Sequence, residues 1–307
     1  MSASSGIFKI RRPSEGWYPA HLFVSDRTRW VPAFAGTTAF PAAQWKKIFC
    51  IAIAGLLTGC ATPYIDKTYT SIGQDSRVQF LILHFTHVDF PTSLKLLTEG
   101  EVSSHYLVNN DPPTIYHLVE ENRRAYHAGI SYWKGATQLN ASSIGIEIVN
   151  RGYDDTPSGR VWYDYPQAQI DAVIALVKKI VKEHEIKPEH ILGHSDIAPG
   201  RKVDPGPRFP WKRLADEGLI PWPDASRVAA QKIIFEQQLP DVAWFQQKLS
   251  QHGFAVPLNG ELDQRTQETV SAFQMKYRQT LFDGIPDAET AALLEVITTP
   301  LDTKPKQ

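Results

Sequence analysis

Val78-Gln79-Phe80-Leu81-Ile82-Leu83-His84-Phe85 is short and mostly branched or aromatic, and it reads as a buried strand with a histidine at its end. Downstream, Ser104 to Val108 and Thr114 to Val119 flank the turn cluster Asn109-Asn110-Asp111-Pro112-Pro113 and predict a hairpin. Ile144-Gly145-Ile146-Glu147-Ile148-Val149 reads as another strand, in which alternation puts Glu147 on the face opposite Ile144, Ile146 and Ile148. Between Tyr165 and Glu185, apolar residues at Ile170, Val173, Ile174, Val177, Ile180 and Val181 form the stripe of an amphipathic helix that covers a sheet. Pro188 ends it, and Ile191-Leu192-Gly193-His194 is a short strand carrying a second histidine to an edge. These elements give an α/β class with a mixed central sheet flanked by helices.

Pro207, Pro210, Trp211 and Pro221 mark an irregular exit, and residues 223–238 read as a linker. A second unit, 239–298, has helix signals at Val242 to His252, Gln264 to Tyr277 and Asp287 to Val296, punctuated by Gly253, Gly260 and Gly284. It is expected to be a small three-helix domain.

Composition narrows the functional classes. The 307 residues carry 32 Lys+Arg against 33 Asp+Glu and 42% hydrophobic residues, enough for about two domains. A net charge of -1 provides no field that would gather nucleic acid. Both cysteines, Cys50 and Cys60, precede the first strand, so any metal in the body must be held by His, Asp or Glu.

Lys46-Lys47, the ten-residue apolar run Ile48 to Leu57 and Leu57-Thr58-Gly59-Cys60 follow the order of an export signal. Ten residues are too few to span a bilayer as a helix, which needs about 20. The stretch resembles a bacterial lipoprotein signal (46–59), which implies lipidation of Cys60 as the mature N-terminus and a tether over 60–76. Ala61, in place of Asp, then implies passage to the outer membrane. Residues 1–45 lack a periodic apolar pattern and read as an over-extended gene start, with Val31 one candidate for the true start.

Six of the ten histidines, at 84, 87, 105, 117, 127 and 194, fall in or near the expected strands. Taken singly, a histidine at a strand end is an ordinary structural residue. The loop Gly193-His194-Ser195-Asp196-Ile197-Ala198-Pro199-Gly200-Arg201-Lys202-Val203-Asp204-Pro205-Gly206 is more telling, because a Pro/Gly-shaped segment holds a His, a Lys and an Asp within eleven residues.

Together with Leu83-His84-Phe85-Thr86, Ser104-His105-Tyr106, Ala125-Tyr126-His127-Ala128-Gly129 and Ile144 to Asn150, this loop resembles the zinc-dependent N-acetylmuramoyl-L-alanine amidases of the peptidoglycan-recognition type. The resemblance covers roughly 77–215 and places the catalytic domain at 77–222. It implies one Zn2+ held by His84, His194 and Asp204, with Glu147 as catalytic carboxylate and Lys202 as its basic partner. Two imidazoles and a carboxylate leave the fourth tetrahedral position open, as catalytic zinc requires. A buried ion pair for Glu147 and a solvated charge for Lys202 are the alternatives.

His127, Asn150 and Arg201 are expected to line the groove for sugar and stem peptide, or else to hydrogen-bond structurally. His87 and His105 are expected to tie loops around the site. The C-terminal unit resembles the three-helix peptidoglycan-binding domain through Leu249, Gly253, Gly260, Thr266, Phe273-Gln274, Asp283-Gly284-Ile285, Thr290 and Leu294, with a packed structural cap as the alternative.

The expectation is therefore a monomeric, lipid-anchored outer-membrane enzyme on the periplasmic face. It would hydrolyse the amide between N-acetylmuramic acid and L-alanine in peptidoglycan or muropeptides. A silent peptidoglycan-binding protein and a cytosolic anhydro-muropeptide amidase are the rivals.

Overall fold

The computed structural model describes residues 63–299. The chain divides into two units, 1–70 and 71–307. In the first, residues 63–70 form no helix or strand, and Asp66 Oδ1 accepts the Thr68 N–H at 2.8 Å. The signal at 46–59 and Cys60 lie outside the described residues.

The second unit begins with β1 (Phe80–Phe85), α1 (Phe90–Glu99), β2 (Tyr106–Val108), β3 (Ile115–His117), the short pair β4 (Tyr132–Trp133) and β5 (Ala136–Thr137), and β6 (Ser143–Ile148). The hairpin β7 (Tyr153–Thr156) and β8 (Gly159–Trp162), helix α2 (Gln167–His184), β9 (Ile191–Gly193) and the one-turn helix α3 (His194–Ile197) follow. Helices α4 (Trp211–Asp216), α5 (Ala225–Gln237), α6 (Val242–His252), α7 (Gln264–Tyr277) and α8 (Ala288–Thr298) complete it.

The central sheet has the order β3-β2-β6-β1-β9. Strands β2, β6, β1 and β9 run parallel, and β3 pairs antiparallel on β2, which closes the expected hairpin. Alternation sorts the side chains. Leu81, Leu83, Ile144, Ile146, Ile148 and Ile191 face the apolar stripe of α2, and Val173, Val177 and Ile180 are buried there without residual exposure. Each such side chain contributes about 1.5–3 kcal/mol relative to an exposed one.

The opposite face is covered by a different part of the chain. Phe80, Ile82 and Leu192 join Trp133, Leu139 and Ile197 in one apolar cluster with Phe245, Leu249, Phe254, Val270 and Phe273 of the C-terminal helices. Trp133 stands edge-on to Phe254 at 5.2 Å between ring centroids, and the Lys134 N–H donates to Gly253 O at 2.9 Å. Gly253, at φ 145°, is required here: a Cβ would sit 2.7 Å from the Trp133 indole. The expected three-helix domain therefore shares its core with the sheet.

Residues 223–238, read as a linker, instead form α5 packed on α8. Asp224 caps α5 by accepting the Arg227 N–H at 2.9 Å, yet no residue of the helix is fully buried. Its apolar stripe is too thin to announce a helix. Within the C-terminal helices one device occurs twice. Gln246 accepts from the Gly260 N–H and donates to Thr266 Oγ1, and Gln274 accepts from the Gly284 N–H and donates to Thr290 Oγ1.

A buried ion pair also crosses between the sheet and these helices. Lys276 Nζ, on α7, lies 2.7 Å from Asp196 Oδ2, with the residues 4% and 1% exposed, and sits 4.3 Å above the Trp211 ring. The same carboxylate oxygen accepts the Gly193 N–H at 2.8 Å, fixing the turn at which β9 becomes α3 and His194 begins.

His252 lies in this shared core among Trp133, Phe254, Phe273 and Tyr277. Burial, reinforced by the charges of Lys276 and Lys134, pulls its pKa down to about 3. A histidine that is neutral when folded and titrates near 6.5 when unfolded stabilises fully above that pH and loses its contribution on acidification. Between pH 6.5 and 5 the loss is about 1–2 kcal/mol. Urea titrations at pH 7 and pH 5 should therefore show a smaller acid-induced loss for His252→Phe than for the parent. Equal losses would mean that His252 is not the acid-sensitive group.

Candidate metal centre and active site

The parallel register of β1 and β6 puts His84 beside Glu147 on the face that α2 does not cover. On the other side of β1, Leu83 pairs with Gly193, so His194 follows one residue past the strand. The segment after it folds back: the Lys202 N–H donates to Ala198 O at 3.0 Å, and the Ser195 N–H donates to Asp204 O at 2.9 Å. Asp204, ten residues further along the chain, thereby returns to His194.

Three donor atoms converge. His84 Nδ1 is 2.9 Å from both His194 Nδ1 and Asp204 Oδ2, and His194 Nδ1 is 3.1 Å from that oxygen. All three residues are buried. The outer nitrogens are occupied: His84 Nε2 meets His127 Nδ1 at 3.0 Å, and His194 Nε2 meets Ala128 O at 3.1 Å. A carbonyl only accepts, so the His194 proton lies on Nε2 and its Nδ1 presents a lone pair. Ligands on a tetrahedral ion at zinc distances lie about 3.3 Å apart, close to the spacing found. The residues fit a small divalent cation.

The electrostatics agree with that fit. Burial and the neighbouring His194 pull His84 down to about 4, against the opposing pull of Asp204. Burial alone would raise Asp204, but His194 and His84 hold it far below the usual carboxylate range. Both therefore stay in the forms that bind metal. Glu147 Oε1 lies 4.0 Å from His84 Nδ1, beside the cluster. Burial and then Asp204 push its pKa well above the ordinary value, while Lys202 opposes them.

Glu147 and all three donors open into a cavity of about 520 Å³, shared with Lys202, Arg201, Tyr153 and Arg160. A larger cavity, about 780 Å³, is lined by Glu121, Glu183, His184 and Lys179. In that cavity Lys179 Nζ lies 3.8 Å from Glu121 and 3.3 Å from Glu183, so the acidic pair already has its cation. His184 bridges Ser76 Oγ at 2.7 Å and Glu121 Oε2 at 2.6 Å, forming a structural network.

The remaining expected residues divide. Lys202 is exposed at the cavity and Arg201 lines it, donating through one nitrogen to Ala128 O and Ile130 O at 2.8 and 2.6 Å. Asn150, expected in the groove, does not line the cavity. Its amide donates to Asp164 O at 3.0 Å and its carbonyl accepts from the Gly152 N–H at 2.6 Å, so it braces the exit from β6. His127 borders the cavity, but both ring nitrogens are taken inside the protein, by His84 and by Ser143 Oγ at 3.2 Å. A groove contact through its polar atoms is therefore not available.

His105 accepts the Gly145 N–H at 3.0 Å and donates to Arg123 O at 3.1 Å, and His87 packs on Phe85 and Tyr153. No sequence motif marks Tyr165, whose hydroxyl donates to Pro205 O at 2.7 Å next to Asp204. Nor does one mark Ser143, which partners His127. Tyr165 lies just before an obvious helical stripe, and Ser143 begins a strand read for its isoleucines.

Comparison with known proteins identifies the family. Residues 74–207 match the family described as N-acetylmuramoyl-L-alanine amidase, and residues 238–294 match a family described as a peptidoglycan binding domain. The chain is 41% identical over 264 residues to the N-acetylmuramoyl-L-alanine amidase AmiD of Escherichia coli, covering 80% of this chain and 95% of that protein. It is 38% identical over 153 residues to the 1,6-anhydro-N-acetylmuramyl-L-alanine amidase AmpD of Enterobacter cloacae, covering 50% of this chain and 69% of that protein.

Among solved structures, a complex of E. coli AmiD with anhydro-N-acetylmuramic acid-L-Ala-D-gamma-Glu-L-Lys superposes with a TM-score of 0.69 at 41% identity, covering 76% of this chain and 93% of that one. AMPDH3 from Pseudomonas aeruginosa in complex with anhydromuramic pentapeptide gives 0.71 at 38% identity, covering 77% and 97%.

Proposed function

Since this chain belongs to the N-acetylmuramoyl-L-alanine amidase family, we propose that it cleaves the bond between N-acetylmuramic acid and L-alanine with one Zn2+ held by His84, His194 and Asp204. The observation that carries this reading is the convergence of three lone-pair donors beside a half-buried glutamate that lines the same cavity. When bound, the ion supplies Lewis acidity, easing deprotonation of water and polarising the scissile carbonyl.

The chain's own groups do the rest. Glu147 takes a proton from the attacking water as its oxygen bonds to the lactyl carbonyl carbon. The carboxyl group so formed gives that proton to the alanine nitrogen as the C–N bond breaks. Lys202, exposed at the same cavity, steadies the negative oxygen that forms on the carbonyl. Arg201 holds the 128–130 loop at the cavity wall.

The substrate class is the muramoyl peptide, in line with the anhydromuramoyl peptides bound by the two relatives. We place the enzyme, as a monomer, on a lipid at Cys60 in the outer membrane facing the periplasm. The support is the pattern Lys46 to Cys60. Among the described residues no helix is long and apolar enough to cross a membrane.

Digestion of purified wall and of anhydro-muropeptides, read by mass spectrometry alongside zinc content, tests the whole reading. One zinc per chain with release of free stem peptide is expected. One zinc with muropeptides left intact would favour a binding protein, and recovery of the protein in the cytosolic fraction would favour a recycling amidase.

A further inference from the structure

Two consecutive residues hold the far side of both imidazoles that face the metal. Ala128 O takes His194 Nε2, and His127 Nδ1 takes His84 Nε2. We propose that His127 is a positioning residue of the metal centre, fixing the His84 ring through this hydrogen bond and thereby setting affinity for the ion. The proposal rests on the zinc reading above and adds a residue that touches neither ion nor substrate through its polar atoms.

The direction of every bond in the chain follows from its ends. With Nδ1 given to the cation, the only N–H of His84 is on Nε2, so His127 Nδ1 must accept at 3.0 Å. The His127 proton is then on Nε2, which donates to Ser143 Oγ at 3.2 Å. Ser143 in turn donates to Leu139 O at 2.6 Å, and a backbone carbonyl has nothing to give back. A metal-binding histidine commonly donates its second N–H to a carboxylate or carbonyl. Here a neutral imidazole takes that place and passes the polarity on to the main chain.

The surroundings hold that imidazole in place. The N–H groups of His127 and Ala128 both donate to Asn140 Oδ1, at 3.0 and 2.7 Å. The His127 ring stands at 82° to the His84 ring and is 8% exposed as a residue. Gly145, on β6 between Ser143 and Glu147, leaves the space: a Cβ there would lie 2.5 Å from His127 Cγ. The run Ser143, Gly145, Glu147 along one face of a strand thus supplies a hydrogen-bond acceptor, a gap and an acid.

The test is zinc affinity of the full chain, measured by competition with a chelating dye. His127→Phe keeps the ring volume and loses the acceptor, and should weaken zinc binding 10- to 100-fold, the range seen when such outer partners are removed. His127→Asn, whose Oδ1 occupies the position of Nδ1, should recover most of that loss, which a purely space-filling role would not require. A folded His127→Phe protein that binds zinc like the parent overturns the proposal.

Should that variant fail to fold, nitrogen-15 NMR of the zinc-loaded parent decides. Protons on Nε2 of both His84 and His127 are expected, and a proton on His127 Nδ1 overturns the relay. A parent that binds no zinc overturns the zinc reading itself, whereas tight binding by parent and Phe variant alike removes only the role of His127.

Discussion

Glu147→Ala should lower turnover of a muramoyl peptide by about 10²–10⁴-fold while leaving one zinc per chain, because the change removes the proton carrier and none of the three metal donors. The carboxylate reaches no closer than 4.0 Å to His84 Nδ1, so its loss does not release that ring. The strand that carries it is anchored on the other face by Ile144, Ile146 and Ile148, none of which is exposed. Its backbone register against β1 also does not depend on the side chain. Kinetics on an anhydro-muropeptide and metal analysis of the same preparation check both halves. Near-normal turnover would reassign the general base.

Removing a donor should have a different signature. In His194→Ala only His84 and Asp204 remain, and zinc affinity should fall by about 10²–10³-fold or more, since total binding energies of about 10–16 kcal/mol in such sites are shared among three or four ligands. Activity should vanish with the metal. The fold should survive, because the turn that carries His194 is fixed independently by Asp196 on the Gly193 N–H and by Lys276 on Asp196. Metal analysis after dialysis, with circular dichroism as the control for folding, checks the prediction. Retained stoichiometric zinc would show that His194 is not a ligand.

Much of this arrangement is visible in the sequence, for identifiable reasons. The strand ending in His84 and the strand holding Glu147 are short apolar runs with one anomalous polar residue each, and that anomaly carries the chemistry. The helix from Ile170 to Val181 follows from its apolar stripe, and the three C-terminal helices are punctuated by Gly253, Gly260 and Gly284, while their Asp caps at 241, 263 and 287 emerge only in the structure. The convergence of His84, His194 and Asp204 was legible through a resemblance, because no spacing along the chain brings residues 110 and 120 positions apart together.

What stayed hidden depends on tertiary contacts. The continuous apolar run shows that Phe80 and Ile82 are buried, but not that helices beyond residue 240 cover them. Asn150 sits just after a site strand and looks like a substrate contact, yet the sharp exit through Gly152 takes both ends of its amide. His127 looks like a groove residue through the resemblance of Ala125 to Gly129, and only coordinates reveal that a missing side chain at Gly145 lets its ring turn inward.

The apolar cluster joining the sheet to α6 and α7 leaves this molecule without a seam. A gene fusion that lifted the C-terminal helices onto another enzyme would transplant half an interior, leaving Phe245 and Phe273 without Phe80, Ile82 and Trp133. The catalytic half, left behind, would present that bared surface to solvent.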